Sequence, residues 1–69
     1  MKTYRYYCLY RPPMPGTIPR GTINIKDFGK REAIPGINRQ AWGYAEYDRK
    51  LTTREIYDYE LAEAEPYDD

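Results

Sequence analysis

Apolar and polar positions alternate along three stretches of the chain. From Thr3 to Arg11, the residues Tyr4, Tyr6, Cys8 and Tyr10 fall on one face, and Thr3, Arg5, Tyr7, Leu9 and Arg11 on the other. Period two with aromatic enrichment predicts a strand. Both faces carry bulk, so neither reads as plain solvent surface. From Thr22 to Phe28, Ile23 and Ile25 share a face against Thr22, Asn24 and Lys26, which predicts a strand with one buried face. Gly29, inside Asp27-Phe28-Gly29-Lys30-Arg31, marks a turn or bulge. Ala33-Ile34 then reads as a short return strand before a Pro35-Gly36 turn. From Ala41 to Asp48, Trp42, Tyr44 and Glu46 oppose Ala41, Gly43, Ala45 and Tyr47, and the small residues leave room for a close neighbour.

Two other segments break the alternation. Residues 11–21 hold four of the six prolines. Proline cannot donate to a ladder, so this is an extended connection or a polyproline-like binding segment, and the stiff connection is the plainer reading. Thr52-Thr53-Arg54-Glu55 is a capping box with Leu51 and Ile56 placed as a hydrophobic staple. A helix should start there, carry Ile56, Tyr57, Leu61 and Ala64 on one apolar stripe, and stop at Pro66. Glu60, Glu63 and Glu65 oppose its dipole, so its end should fray or meet a basic partner. The fold class is therefore α+β, an antiparallel sheet of three to four strands with one C-terminal helix. We expect one domain, residues 1–69, with 66–69 a frayed tail. One helix covers one face, so the other displays Tyr and Arg unless a second copy covers it.

Composition changes this picture in three ways. A chain of 69 residues builds a thin core, and domains of this size commonly lean on a disulfide, a metal or a partner. With one cysteine and no histidine, internal disulfides and zinc-type Cys/His clusters are out, as is the usual general base near neutral pH. Self-association as a dimer or tetramer, through sheet or helix, is the remaining expectation. Nine tyrosines suit that, because each buries a ring and keeps its hydroxyl wet. No run of ~18 apolar residues and no secretory leader pattern is present, so a cytoplasmic protein without membrane partners is expected.

Charge is the third change. Eleven basic and eleven acidic residues balance overall. Yet residues 1–45 carry eight cations against Asp27 and Glu32, while residues 46–69 carry nine carboxylates against Arg49, Lys50 and Arg54. Such a split points to a charged partner for one half, or to pairing between the halves within the fold. For a nucleic acid, Arg5, Arg11, Arg20, Lys26, Lys30, Arg31 and Arg39 would meet phosphates, and Tyr4, Tyr6 or Tyr44 would stack bases. The competing reading makes Tyr6 and Tyr44 core or dimer interface, Trp42 a core anchor, and Cys8 a packed sheet residue.

The segments Tyr6-Tyr7-Cys8-Leu9-Tyr10-Arg11-Pro12-Pro13-Met14-Pro15-Gly16, Ala41-Trp42-Gly43-Tyr44-Ala45-Glu46-Tyr47, Leu51-Thr52 and Asp58-Tyr59-Glu60-Leu61 resemble short proteins carried by prophages and mobile elements of clostridial bacteria. The chain also looks like small anti-CRISPR proteins with a positive-cofactor-four-like fold. That resemblance implies oligomers that nick supercoiled double-stranded DNA and so hinder a host CRISPR nuclease indirectly. It also singles out Asp27, at a strand end before Phe28-Gly29. Without histidine, nicking has two routes. Asp27 and Glu32 would hold Mg²⁺, a hard cation that prefers oxygen ligands, or a tyrosine hydroxyl would attack with Lys26, Lys30 or Arg31 stabilising charge. The plain alternative for Asp27 is a turn residue bonded to its own backbone. A different function altogether would have the acidic stretch Glu55 to Asp69 mimic nucleic acid in the basic groove of a host nuclease.

Overall fold

The structure is a computed structural model that describes residues 2–64. Among the described residues four antiparallel strands form one sheet in the order β2-β3-β1-β4. They are β1 (Tyr4–Cys8), β2 (Thr22–Ile34), β3 (Arg39–Tyr47) and β4 (Leu61–Glu63), with one helix, α1 (Thr53–Asp58), between the last two. The α+β class expected from periodicity is what the chain adopts.

β3 lies inside the sheet because its period-two pattern serves two different layers. Ala41, Gly43, Ala45 and Tyr47 are buried, while Trp42, Tyr44 and Glu46 are half-buried on the opposite face. The register sets Tyr6 against Ala45 and Cys8 against Gly43, so the large residues of β1 sit beside the small ones of β3. Tyr6, Cys8, Ile18, Ala45, Tyr47, Leu51 and Leu61 form the core, with Tyr4, Ile56 and Tyr59 packed on its rim.

Tyr6 and Tyr47 are completely buried, and their rings meet edge to face at 6.0 Å. Each hydroxyl is satisfied. Tyr47 donates to the Pro19 carbonyl at 2.6 Å, and Tyr6 accepts from the Leu51 amide at 2.9 Å. Burial raises the Tyr47 phenol well above its ordinary range and raises Tyr6 as well. These two bonds fasten the proline-rich connection and the α1 lead-in onto the sheet. Pro13, Ile18 and Pro19 of that connection are buried, so the stiff segment is a lid over one sheet face.

The helix begins as the capping box requires. Thr52 Oγ1 accepts from the Glu55 amide at 3.1 Å, and the Glu55 carboxylate accepts from the Thr52 amide at 2.9 Å. It does not run toward Pro66, however. Tyr59 caps it after six residues, and Glu60 takes a left-handed conformation with φ of 55°. Leu61 then pairs with Cys8 and Ala62 with Tyr7, making a fourth strand from residues expected to be helical. The carboxylates that oppose a helix dipole make continuation costly, while the free edge of β1 offers ladder bonds. Tyr57, expected on the apolar stripe, is instead 81% exposed.

The expected return strand at Ala33-Ile34 is also revised. Those residues continue β2 across an irregular stretch and pair with Gln40 and Arg39. Pro66 and the expected frayed tail at 66–69 lie outside the described residues.

Candidate nucleic-acid interface

The irregularity in β2 shapes the site. Asp27 pairs with Gly43 and Glu32 with Ala41, so four residues, Phe28 to Arg31, bulge opposite the single residue Trp42. Gly29 supplies the positive φ of 75° that such a bulge needs. Its amide donates to Asp27 Oδ1 at 2.8 Å, an Asx turn that fixes the bend. Across from it, β3 must come unusually close. A Cβ on Gly43 would collide with the Lys26 carbonyl and stand 2.9 Å from the Pro13 ring.

The helix and the proline lid cover one sheet face. Among the described residues no element covers the other, which carries Arg5, Tyr7, Lys26, Phe28, Trp42, Tyr44 and Glu46. Tyr44 is its hub. Its ring meets Tyr7 at 5.9 Å and Phe28 at 6.0 Å, both edge to face, and the Arg5 guanidinium lies 3.9 Å from its centroid. Arg5 also pairs with Glu46 at 2.8 Å. Burial pushes the Glu46 carboxyl up, but bonds from Asn24 and Arg5 outweigh it and hold it below its usual range.

Each cation named from sequence can now be placed. Arg5 is held by Glu46 and Tyr44, and Arg11 pairs with Glu60, so both answer carboxylates of the acidic half. Arg39 donates to the Tyr10 hydroxyl at 3.0 Å. Arg20, Lys26, Lys30 and Arg31 are exposed, and none makes an ion pair among the described residues. Lys26 shares the open face with its register partner Tyr44, and Lys30 and Arg31 sit in the bulge.

Two carboxylates of the acidic half answer arginines of that same half. Arg49 pairs with Glu55 and Arg54 with Asp58. The Arg49 guanidinium, helped by the Thr52 amide, lowers the Glu55 carboxyl to about 2. Described residues left outside ion pairs are the cations Lys2, Arg20, Lys26, Lys30, Arg31, Arg39 and Lys50 and the acids Asp27, Glu32, Asp48 and Glu63.

The bulge sets Asp27 and Glu32 opposite residues only two apart on β3, so carboxylates five apart in sequence reach neighbouring positions. Among the described residues no group of three or more Cys, Asp or Glu side chains is arranged to hold a metal. Cys8 is buried, and burial lifts its thiol to about 11, in keeping with the packed, unreactive role.

Two residues here were not legible as site residues. Trp42 was expected in the core, but it is half-buried on the open face and stands outside the core cluster. Phe28 ended a strand in the sequence reading, yet it joins the Tyr44 ring cluster. The alternation in β3 carried the signal. Once the small residues Ala41, Gly43 and Ala45 take the covered face, Trp42 and Tyr44 must take the other.

No curated protein and no solved structure matches the chain. One family model, described as defence against restriction A, C-terminal, matches residues 1–66. That match supports the anti-defence part of the resemblance drawn from sequence, but it does not extend to an anti-CRISPR role or a clostridial source. With nearly its whole length matched, the chain belongs to the defence-against-restriction-A C-terminal family, an anti-defence family of phages and mobile elements.

Proposed function

We propose that the protein binds DNA through the exposed cations of β2 and of Arg20 just before it, and so shields that DNA from restriction. One observation carries the reading. The acidic half ties Glu46, Glu55, Asp58 and Glu60 to arginines, while Arg20, Lys26, Lys30 and Arg31 pair with no described carboxylate. A sequence of zero net charge thus exposes four unpaired cations in and just before β2 against the unpaired Asp27 and Glu32, and phosphates are the polyanion that such an excess attracts. Family membership supports the direction of action, since DNA is the substrate of restriction and a protein lying on it obstructs access. Among the described residues of the acidic stretch, Glu55, Asp58 and Glu60 are held by arginines, which leaves Glu63 alone outside an ion pair, whereas a nucleic-acid mimic needs its carboxylates free to meet a partner's cations.

Labelled duplex DNA titrated with protein at increasing salt tests the proposal by anisotropy. The logarithm of the binding constant should fall against log salt by about 0.9 for each phosphate contacted. The Lys30→Glu/Arg31→Glu double variant should flatten that slope and weaken binding. A salt-independent titration, or a double variant that binds like the parent, overturns it. Sizing by light scattering across the same range reports whether copies associate on the DNA.

A second reading, metal-dependent nicking, rests on the neighbouring positions of Asp27 and Glu32. Supercoiled plasmid with Mg²⁺ separates the two. Binding without conversion to open circles supports shielding alone. Conversion that Asp27→Asn and Glu32→Gln each abolish gives Asp27 a catalytic role beyond its turn.

A further inference from the structure

We infer that the open sheet face stacks unpaired bases on Trp42, with Lys30 and Arg31 of the facing bulge taking the adjoining phosphates; this rests on the DNA-binding reading above and names the form of nucleic acid it prefers. The juxtaposition comes from register. Four residues of β2, Phe28 to Arg31, stand opposite Trp42 alone, so the bulge gathers a phenylalanine and two cations beside the chain's one tryptophan.

The neighbouring rings are already ordered. Tyr44 meets Tyr7 and Phe28 edge to face, and Arg5 lies over Tyr44, so these rings are already engaged with one another through Tyr44. Trp42 is half-buried next to it and outside both the core and any described ring pair. Its indole takes part in none of the ring pairs on this face, so a base can engage it without displacing one of them. A duplex keeps its bases stacked inside and offers only phosphates, which Lys30 and Arg31 meet without Trp42. Single strands offer both parts, and stacking tolerates any sequence because every base has a π-face.

The test uses the full chain and its single tryptophan as reporter. A thymine-only oligonucleotide of about fifteen residues and a duplex of equal length are titrated at one salt concentration, following Trp emission and anisotropy. We expect the single strand to quench Trp42 and bind about tenfold more tightly than the duplex, and the duplex to leave emission nearly unchanged. Trp42→Leu should weaken single-strand binding about tenfold, the loss typical of one stacked base, and leave duplex binding as it was. Trp42→Phe should restore most of the single-strand affinity. Unchanged emission on saturation with the single strand overturns the inference, and that arm needs no variant to fold. Equal affinities, or a Trp42→Leu variant that still folds by circular dichroism and binds single strands like the parent, overturn it too. Duplex binding lost in Lys30→Glu/Arg31→Glu alongside a silent Trp42 would leave the shielding proposal standing without the stacking. Absence of binding to either nucleic acid removes both.

Discussion

Replacing Gly43 with alanine challenges the close approach of β3 to β2 and the proline lid beside the bulge. The new methyl group would overlap the Lys26 carbonyl oxygen and stand 2.9 Å from the Pro13 ring carbons. Neither neighbour can swing aside as a long side chain would. Lys26 is paired across the ladder with Tyr44, and Pro13 is buried in the lid. Overpacking of this kind costs about 1–3 kcal/mol, and backbone on one side puts Gly43→Ala near about 3. At roughly 0.05–0.15 kcal/mol per residue, a chain of this length has about 3–10 kcal/mol in all, so the variant should be near or past its limit. Each kcal/mol moves the midpoint of a small domain by about 4–8 °C, so thermal melting followed by far-ultraviolet circular dichroism should show a loss of about 12–24 °C. Gly36→Ala is the control. It has no atom within 4 Å of the added methyl, so it should stay within about 0.5 kcal/mol of the parent. A Gly43→Ala midpoint within about 4 °C of the parent would mean that β2 and β3 do not approach as described, and that the bulge opposite Trp42 is held some other way.

Three further outcomes follow from the same structure. Tyr47→Phe keeps the ring but strands the buried Pro19 carbonyl that its hydroxyl now satisfies, so urea unfolding should register a loss of about 1–3 kcal/mol; no change would mean that water already serves that carbonyl. Glu55, lowered to about 2 by Arg49 and Thr52, contributes stability that is fully present above its unfolded value near 4.5 and disappears as pH falls toward 2. Melting midpoints should therefore hold from pH 7 to about 5 and drop below 4.5, with a shallower drop in Glu55→Gln; an identical acid profile in that variant would refute the linkage. The Cys8 thiol, buried and raised to about 11, should stay unmodified by a disulfide reagent at pH 8 until denaturant is added, and prompt native-state labelling would show that β1 and β4 part readily.

How much of this was readable from the chain depends on the range of the interaction involved. The strand at Tyr4–Cys8, the first part of β2, the body of β3 and the start of α1 at Thr53 were legible, because period-two alternation and a capping box act within a few residues, whereas the joining of Ala33-Ile34 to β2 was not. The end of α1 was not. Its residues weigh a helix that their carboxylates disfavour against an edge of β1 that lies more than fifty positions away in sequence, and only the folded sheet brings that edge near. The two halves visibly carried opposite charge, but which cations would be answered was undetermined. Ion pairing depends on register, and the register sets Arg5 against Glu46 while Lys26 meets a tyrosine. The same holds for Trp42. Alternation separates it from Ala41, Gly43 and Ala45, but nothing local says which of two faces a lid of prolines and a six-residue helix will cover. The amino-acid order by itself determined the strands, the helix start and the latent polarity of charge. The tertiary structure alone decided the fourth strand, the face left uncovered among the described residues and which cations stay unpaired, because each is a competition between partners distant in the chain.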